Sequence, residues 1–474
     1  MWWIAVVMAA PTVLEADVDR LLAVPALNGA SVSLLVMDME RRALVDHQAD
    51  ARRVPASVAK IMSTAAAMEA LGPDHTVVTS LMAQGSVTGG VLDGALVVVG
   101  AGDPTLGGGD SGAWLRSWAI AVADAGIERV DGDIIADGRV FAGPPLGRGW
   151  AWDDAPWSYS APVTGLQIGH NVAVVRIAGM ADGSVDVDPG EWSECLDIDN
   201  RLMVDDPGVV GGLRAYRPPS STVLVLDGAV AAGSERTLRV TLPDPAHCMA
   251  SRFRLALEEA GVQVNGDSRS TRPADTGWHG TVLATVTSPS LVELLPAILQ
   301  DSDNLVAESV VRWLDPAPTG KTMAVAEDAL ADVLSPSGIA RGWTLVDGSG
   351  LSRYDQLSAS TLADVMRWAY TRPWGPAWVE ALAVAGESGT LRGRMSGGAG
   401  RIQGKTGSMS GVLSLVVFVP SESGPLVYVM LSNGIMGSRS EVRAAQDAIA
   451  ERLLAYSSRD DRRCGRRCQR RREK

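Results

Sequence analysis

Residues 52 to 72, RRVPASVAKIMSTAAAMEALG, set Ser57 and Lys60 three positions apart at the start of an apolar run. On a helix that spacing puts both side chains on one face. A serine hydroxyl becomes an effective nucleophile when a neighbouring base takes its proton, and a lysine serves as that base once its ammonium is destabilised. The residues that follow (Ile61, Met62, Ala65, Ala66, Ala67, Met68 and Leu71) are apolar nearly all round, the pattern of a buried helix. One turn from Lys60 stand Ala56, Ser57, Ser63 and Thr64, none of them acidic. Burial without a local counterion lowers a lysine pKa. The same residues also suit a plainer role, since Ser57 after Pro55 and Ala56 is a reasonable helix N-cap.

Lysine usage bears on the choice. The chain has only four lysines, Lys60, Lys321, Lys405 and Lys474, among 42 basic residues. Where positive charge alone suffices it uses arginine, whose guanidinium is effectively never deprotonated, so a retained lysine points to chemistry needing a removable proton. Lys405 opens Lys405-Thr406-Gly407 in RIQGKTGSMSGVLSLVVFV, where glycines ahead of a strand permit close backbone approach to a ligand. The plainer reading is the start of a hairpin. Ser302-Asp303-Asn304 interrupts the apolar helical stretches of LLPAILQDSDNLVAESVVRWL, a costly place for polar groups unless they find partners. The plainer reading there is a turn or cap. Lys321 lies in TGKTM, but Asp315 stands where a phosphate loop needs its first glycine, which excludes nucleotide binding. The five histidines, His47, His75, His170, His247 and His279, flank Ser57 in no hydrolase signature, and G-x-S-x-G is absent. They read as ordinary surface or core residues.

The elements around these motifs set the expected architecture. Gly29 to Asp50 alternates around Val32, Leu34 and Val36 and then turns polar, as a hairpin does; GVLSLVVFVPSESGPLVYVMLSNG is a second hairpin. Helical patterning covers 290–314, SASTLADVMRWAYT and 441–455. Between about Pro73 and Asp275 the texture changes to short β-rich runs punctuated by Gly and Asp. The fold class expected is α/β in the α+β sense: an antiparallel sheet flanked by helices, built from both ends of the chain, with β-rich domains inserted. The expected divisions are a catalytic unit at 15–80 and 285–456, one inserted domain at 81–160 and 240–284, and a second at 161–239.

Composition is that of a globular protein, 46% hydrophobic and 20% charged, and the net charge of -13 argues against nucleic-acid binding. The last residues, 457–474, reverse the sign and read as a solvated basic tail, the alternative being contact with a membrane surface or an anionic envelope polymer. The apolar N-terminus, 1–14, is too short to span a bilayer and suits an export signal, the alternative being an element docked on the core. In an oxidising compartment Cys195 could pair with Cys248, and Cys464 with Cys468. The cysteine spacing does not suggest a metal site, and no metal or cofactor is expected.

Ser57-x-x-Lys60, Ser302-Asp303-Asn304 and Lys405-Thr406-Gly407, in that order, resemble the three motifs of penicillin-binding proteins and serine β-lactamases. The long gap from Ser57 to Ser302 is similar to that of the D-alanyl-D-alanine carboxypeptidase/endopeptidases of the penicillin-binding protein 4 type. GAGDPTL, WDDAPWSYSAP, SDNLVAES, DGSGLSRYD and GESGTLRGRM resemble that family as well. Asp355, where the family often has Asn, and the loose Gly169-His170-Asn171 depart from its pattern. The resemblance implies an exported periplasmic or envelope hydrolase without a cofactor, acting on peptidoglycan stem peptides and acylated by β-lactams. It implies Ser57 as nucleophile, Lys60 as proton acceptor, Ser302 as proton relay and Asn304 as orienting residue. Lys405 and Thr406, with Gly407, would receive the terminal carboxylate, Ser57 and Ser408 would supply oxyanion N–H groups, and Asp154 would meet a diamino-acid side chain. A β-lactamase or esterase on the same fold, or a cell-wall-binding protein with little turnover, are the alternatives. The sequence sets no oligomeric state.

Overall fold

The computed structural model describes residues 12–456, apart from 109–110, 206–211, 220, 273, 276, 340–341 and 423. The basic tail, with Cys464 and Cys468, and most of the expected leader lie outside the described residues. Val13 and Leu14, counted above with the leader, open a helix, Val13–Leu22, whose N-terminus is closed by a capping box. Glu15 N donates to Thr12 Oγ1 (3.1 Å) and Thr12 N to Glu15 Oε2 (2.6 Å).

Both ends of the chain build one antiparallel sheet. Its strand order is Ala383–Val384, Gln403–Met409, Val412–Val419, Leu426–Asn433, Ser31–Met37 and Ala43–His47. Side chains alternate between the faces of a strand, and here each face has its own core. Leu35, Val416, Val427, Val429 and Leu431 pack with the helices of the catalytic side. Leu34, Val36, Leu415, Val417, Tyr428 and Met430 pack on the other face with the helices Val13–Leu22 and Arg439–Leu454. Burial on both sides explains why Val412–Val419 is apolar at every position but Ser414 rather than alternating. The helix Lys60–Leu71 lies among Leu291–Leu299, Asn304–Arg312, Met323–Leu334 and Ala359–Tyr370, and every residue from Lys60 to Met68 is buried.

The inserted material leaves through Val78–Thr88 and returns through Thr281–Thr287, and these two strands pair antiparallel. The junctions expected at 80 and 285 therefore fall within or beside paired strands. That sheet continues through Val91–Val99 to short parallel strands. Two helices pack on it, Ser111–Asp124 and Pro245–Glu259, which a β-rich reading of this region did not anticipate. The stretch 224–241 has the look of a hairpin but is not one. Leu224–Ala231 runs parallel to Ile198–Asp205, and Glu235–Thr241 antiparallel to Val172–Gly179. Cys195 and Cys248 are free thiols, with Cys248 Sγ 3.8 Å from the Cys195 carbonyl oxygen. Among the described residues, no helix is long and apolar enough to cross a membrane.

Candidate active site

Ser57 lies in a 3-10 turn, Ala56–Ala59, that leads into the helix Lys60–Leu71. Its hydroxyl caps no backbone group there. The N-cap reading is thus replaced by a different contact: Lys60 Nζ lies 3.0 Å from Ser57 Oγ, 2.6 Å from Asn304 Oδ1 and 2.7 Å from Ser349 O. The preceding Ala56 has φ +52°, a sparsely populated conformation for a residue with a side chain. The turn is held by close packing. A β-carbon on Gly350 would stand 2.1 Å from Ala56 O, and one on Gly407 would stand 2.7 Å from Pro55 O and 3.1 Å from Ser57 N. Both positions therefore require glycine.

Lys60 is wholly buried, and burial pulls its pKa down to about 8, against the opposing field of Asp347, Glu308, Asp303 and Asp355. The absence of an acid within one turn of Lys60 was legible; these carboxylates, brought in from elsewhere in the chain, were not. Glu308 Oε1 accepts Gly348 N (2.8 Å) and Ser349 N (2.9 Å), while Oε2 accepts Arg312 Nη1 (2.7 Å). It thereby fixes the turn whose Ser349 carbonyl receives Lys60.

Asn304 is the first residue of the helix Asn304–Arg312. Its Oδ1 takes Lys60, and its Nδ2 donates to Tyr159 O at 2.7 Å, so both ends of the amide are committed. Asp303 is the N-cap of that helix, accepting Val306 N at 3.0 Å, so the plainer cap reading of this motif also holds. Ser302 stands between the helices with φ +66° and lines the cleft.

Lys405, Thr406, Gly407 and Ser408 lie on the strand Gln403–Met409, which runs past the Ser57 turn. Lys405 is fully buried, donates to Thr406 O (3.0 Å), and is held well below the ordinary lysine range by burial and by the charge of Lys60. It is not among the cleft-lining residues, whereas Ser408 is. Thr406 Oγ1 contacts Thr390 Oγ1 at 2.8 Å. The cleft, about 710 Å³, is bordered by Ser57, Asp154, Ser302, Asn304, Ser408 and two guanidinium residues, Arg353 and Arg439. Asp154 Oδ1 accepts the Tyr159 hydroxyl at 2.6 Å, and burial, together with this carboxylate, raises the phenol pKa. Arg439 donates to Ser408 Oγ and to Met409 O (2.8 Å).

The model of the D-Ala-D-Ala carboxypeptidase 3 (S13) family matches residues 14–456. The chain belongs to the S13 family. A D-alanyl-D-alanine carboxypeptidase from an Actinomadura species is 35% identical over 468 residues, 94% of this chain and 85% of the relative. A crystal structure of penicillin-binding protein 4 (DacB) from Haemophilus influenzae shares the fold, with TM-score 0.82 at 23% identity, covering 93% of this chain and 100% of that one. The same H. influenzae protein complexed with a β-lactam superposes with TM-score 0.77 at 21% identity.

In this S13 protein the structure brings Ser57, Lys60 and Asn304 into direct contact, with Ser302, Ser408 and Asp154 along the same cleft. Lys405 sits beneath. Arg353, Arg439 and Glu308 were not singled out from the sequence, and His170 was read there as an ordinary histidine within a loose motif. Arg353 lies within DGSGLSRYD and so carried a faint signal; Arg439, at the start of a polar surface helix, carried none.

Proposed function

We propose that this chain is a serine-type D-Ala-D-Ala carboxypeptidase that acts on peptidoglycan stem peptides through an acyl-enzyme on Ser57. The observation that carries the proposal is the buried Lys60 ammonium group 3.0 Å from a cleft-lining serine hydroxyl and held at 2.6 Å by Asn304. Deprotonated Lys60 takes the Ser57 proton as Oγ attacks the carbonyl of the penultimate D-Ala. The tetrahedral oxyanion meets the backbone N–H groups of Ser57 and Ser408, two residues that border the same cleft. Ser302 passes a proton to the departing amine, D-Ala leaves, and water then releases the acyl group. Asn304 keeps Lys60 aimed at Ser57.

The terminal carboxylate lies along the strand Gln403–Met409 at Thr406 and Ser408, and its negative charge favours the protonated form of Lys405 beneath. Asp154, which borders the cleft with Tyr159, receives the amino group of a diamino-acid side chain. A β-lactam presents a strained amide to the same serine, in keeping with the β-lactam complex of the H. influenzae relative. The catalytic unit is taken as 15–80 and 285–456 and the two inserted domains as 81–160 with 240–284 and 161–239, the protein working in the envelope after export.

The test compares wild type and Ser57→Ala with a labelled penicillin and a D-Ala-D-Ala pentapeptide. Wild type is expected to be labelled stoichiometrically and to release D-Ala, and the variant to do neither. Labelling that persists in Ser57→Ala removes the nucleophile assignment. Labelling without D-Ala release favours a binding protein, and rapid loss of the label favours a β-lactamase.

A further inference from the structure

Residues 301–305 form a thin partition. On one side lies the catalytic cleft; on the other lies a second cavity of about 330 Å³ bordered by Tyr159, His170, Arg239 and residues 301–305. The turn carrying Ser302 and Asn304 lies between the two, where Asp303 N donates to Ala297 O (2.9 Å) and Asn304 Nδ2 to Tyr159 O (2.7 Å). One side chain crosses the second cavity's edge to reach it: His170 Nδ1 lies 3.3 Å from Asp303 Oδ2. The other Asp303 oxygen accepts Val306 N at 3.0 Å, so the carboxylate joins the helix N-terminus to the histidine.

The backbone that presents His170 is itself unusual. Gly169, His170 and Asn171 have φ of +56°, +57° and +56°, two of them residues for which this region is sparsely populated. Such a turn persists when its surroundings over-determine it, and they do. Asn171 Oδ1 accepts Ile168 N (2.9 Å), Asn171 Nδ2 donates to Pro162 O (2.8 Å), Asn171 O accepts Leu242 N (2.9 Å), and Gly169 N donates to Leu106 O (2.8 Å). The inserted region thus holds an imidazole against the middle residue of a catalytic motif.

Resting on the proposed acyl-enzyme reading, we infer that His170 is a positioning residue which, by clasping Asp303, fixes the turn that aims Ser302 and Asn304 into the cleft. Asp303 also raises the His170 pKa, which strengthens the clasp where the imidazole is protonated. The effect on chemistry runs through Asn304, whose Oδ1 orients Lys60.

The test measures the second-order rate of Ser57 acylation by a labelled penicillin in His170→Ala, His170→Asn, Asp303→Ser and the double variant His170→Ala/Asp303→Ser. Asn tolerates the left-handed backbone and carries its amide nitrogen on the same atom as His Nδ1, so it keeps the clasp; Ser keeps the helix cap but is too short to reach His170. His170→Ala and Asp303→Ser are each expected to slow acylation about tenfold, His170→Asn to remain within about twofold of wild type, and the double variant to be no slower than either single change. Thermal unfolding of each variant separates this from misfolding, and Asp303→Ser with His170→Asn carries the test if His170→Ala does not fold. Wild-type acylation rates in His170→Ala, equal slowing by Ala and Asn, or multiplied losses in the double variant would each overturn the inference. If wild type itself is not acylated at Ser57, the functional reading fails instead.

Discussion

A single proton decides whether Lys60 can act. Its pKa near 8 is a compromise between burial, which expels charge, and four surrounding carboxylates, which retain it. Because the folded value lies below that of a free lysine, the base form gains population as pH rises through about 8. The acylation rate by penicillin is therefore expected to climb roughly tenfold per pH unit below that value and to level above it, measured between about pH 6 and 10. Lys60→Arg retains charge and loses the removable proton, and should slow acylation by about 10²-fold or more across the whole range. A flat wild-type profile would remove Lys60 as the proton acceptor. Lys405 cannot replace it without moving: it is buried beneath the strand and its bond is to Thr406 O.

The turn 347–355 is an element built almost wholly from buried polar contacts. Asp347 accepts Gly350 N (2.7 Å), Ser352 N (2.6 Å) and Trp150 Nε1 (2.8 Å), and Asp355 Oδ1 accepts Val346 N (2.8 Å). Burial and the neighbouring Asp347 carboxylate push the Asp355 pKa well above the ordinary range. A carboxyl raised in the folded state contributes fully below its unfolded pKa of about 3.9 and loses that contribution as pH rises towards the folded value. Asp355→Asn supplies a neutral donor at every pH. It should match wild-type stability near about pH 4 and exceed it increasingly towards neutrality, by up to about 1.4 kcal/mol per pH unit. Melting temperatures taken over that range check this; parallel curves would show that Asp355 is ionised in the fold. Asp355 marks a boundary of what sequence reading could reach. The spacing of Ser57 and Lys60, the apolar helix behind them and the order of the three motifs are local features, and the structure brings these residues together. The clasp of His170, the support of Glu308 and the cleft position of Arg439 depend on how distant segments close on one another, and no periodicity records that. The helices Ser111–Asp124 and Pro245–Glu259 were hidden differently, by strand-like runs on either side of them.

Across the whole molecule, two regions have separate cores yet share the site. The inserted region has its own apolar cluster, while its segment 139–172 reaches the catalytic helices: Phe141, Ala161, Val163 and Val172 join their core, Tyr159 O receives Asn304, and Gln167 Nε2 meets Ser309 Oγ at 2.8 Å. The stability of the inserted core can therefore be altered without touching the cleft, provided the change lies away from that segment. Cys195 and Cys248 offer such a change, since both belong to the inserted core, neither lines the cleft, and the Cys248 thiol lies against Cys195. The neighbouring Cys195 thiol and burial push the Cys248 pKa up, leaving little thiolate to react once the chain has folded. Refolding with oxidised glutathione is expected to link the two by thiol–disulfide exchange, whereas brief treatment of the folded protein is not. Closing a loop of about 50 residues is worth roughly 4 kcal/mol in the chain-entropy account, so the refolded, linked protein should melt several degrees higher. Its Ser57 acylation rate should be unchanged. Alkylation followed by peptide mass mapping identifies the bond. Free thiols after oxidative refolding, or a linked protein that melts lower, would show that the two sulfurs are packed together without the geometry to join.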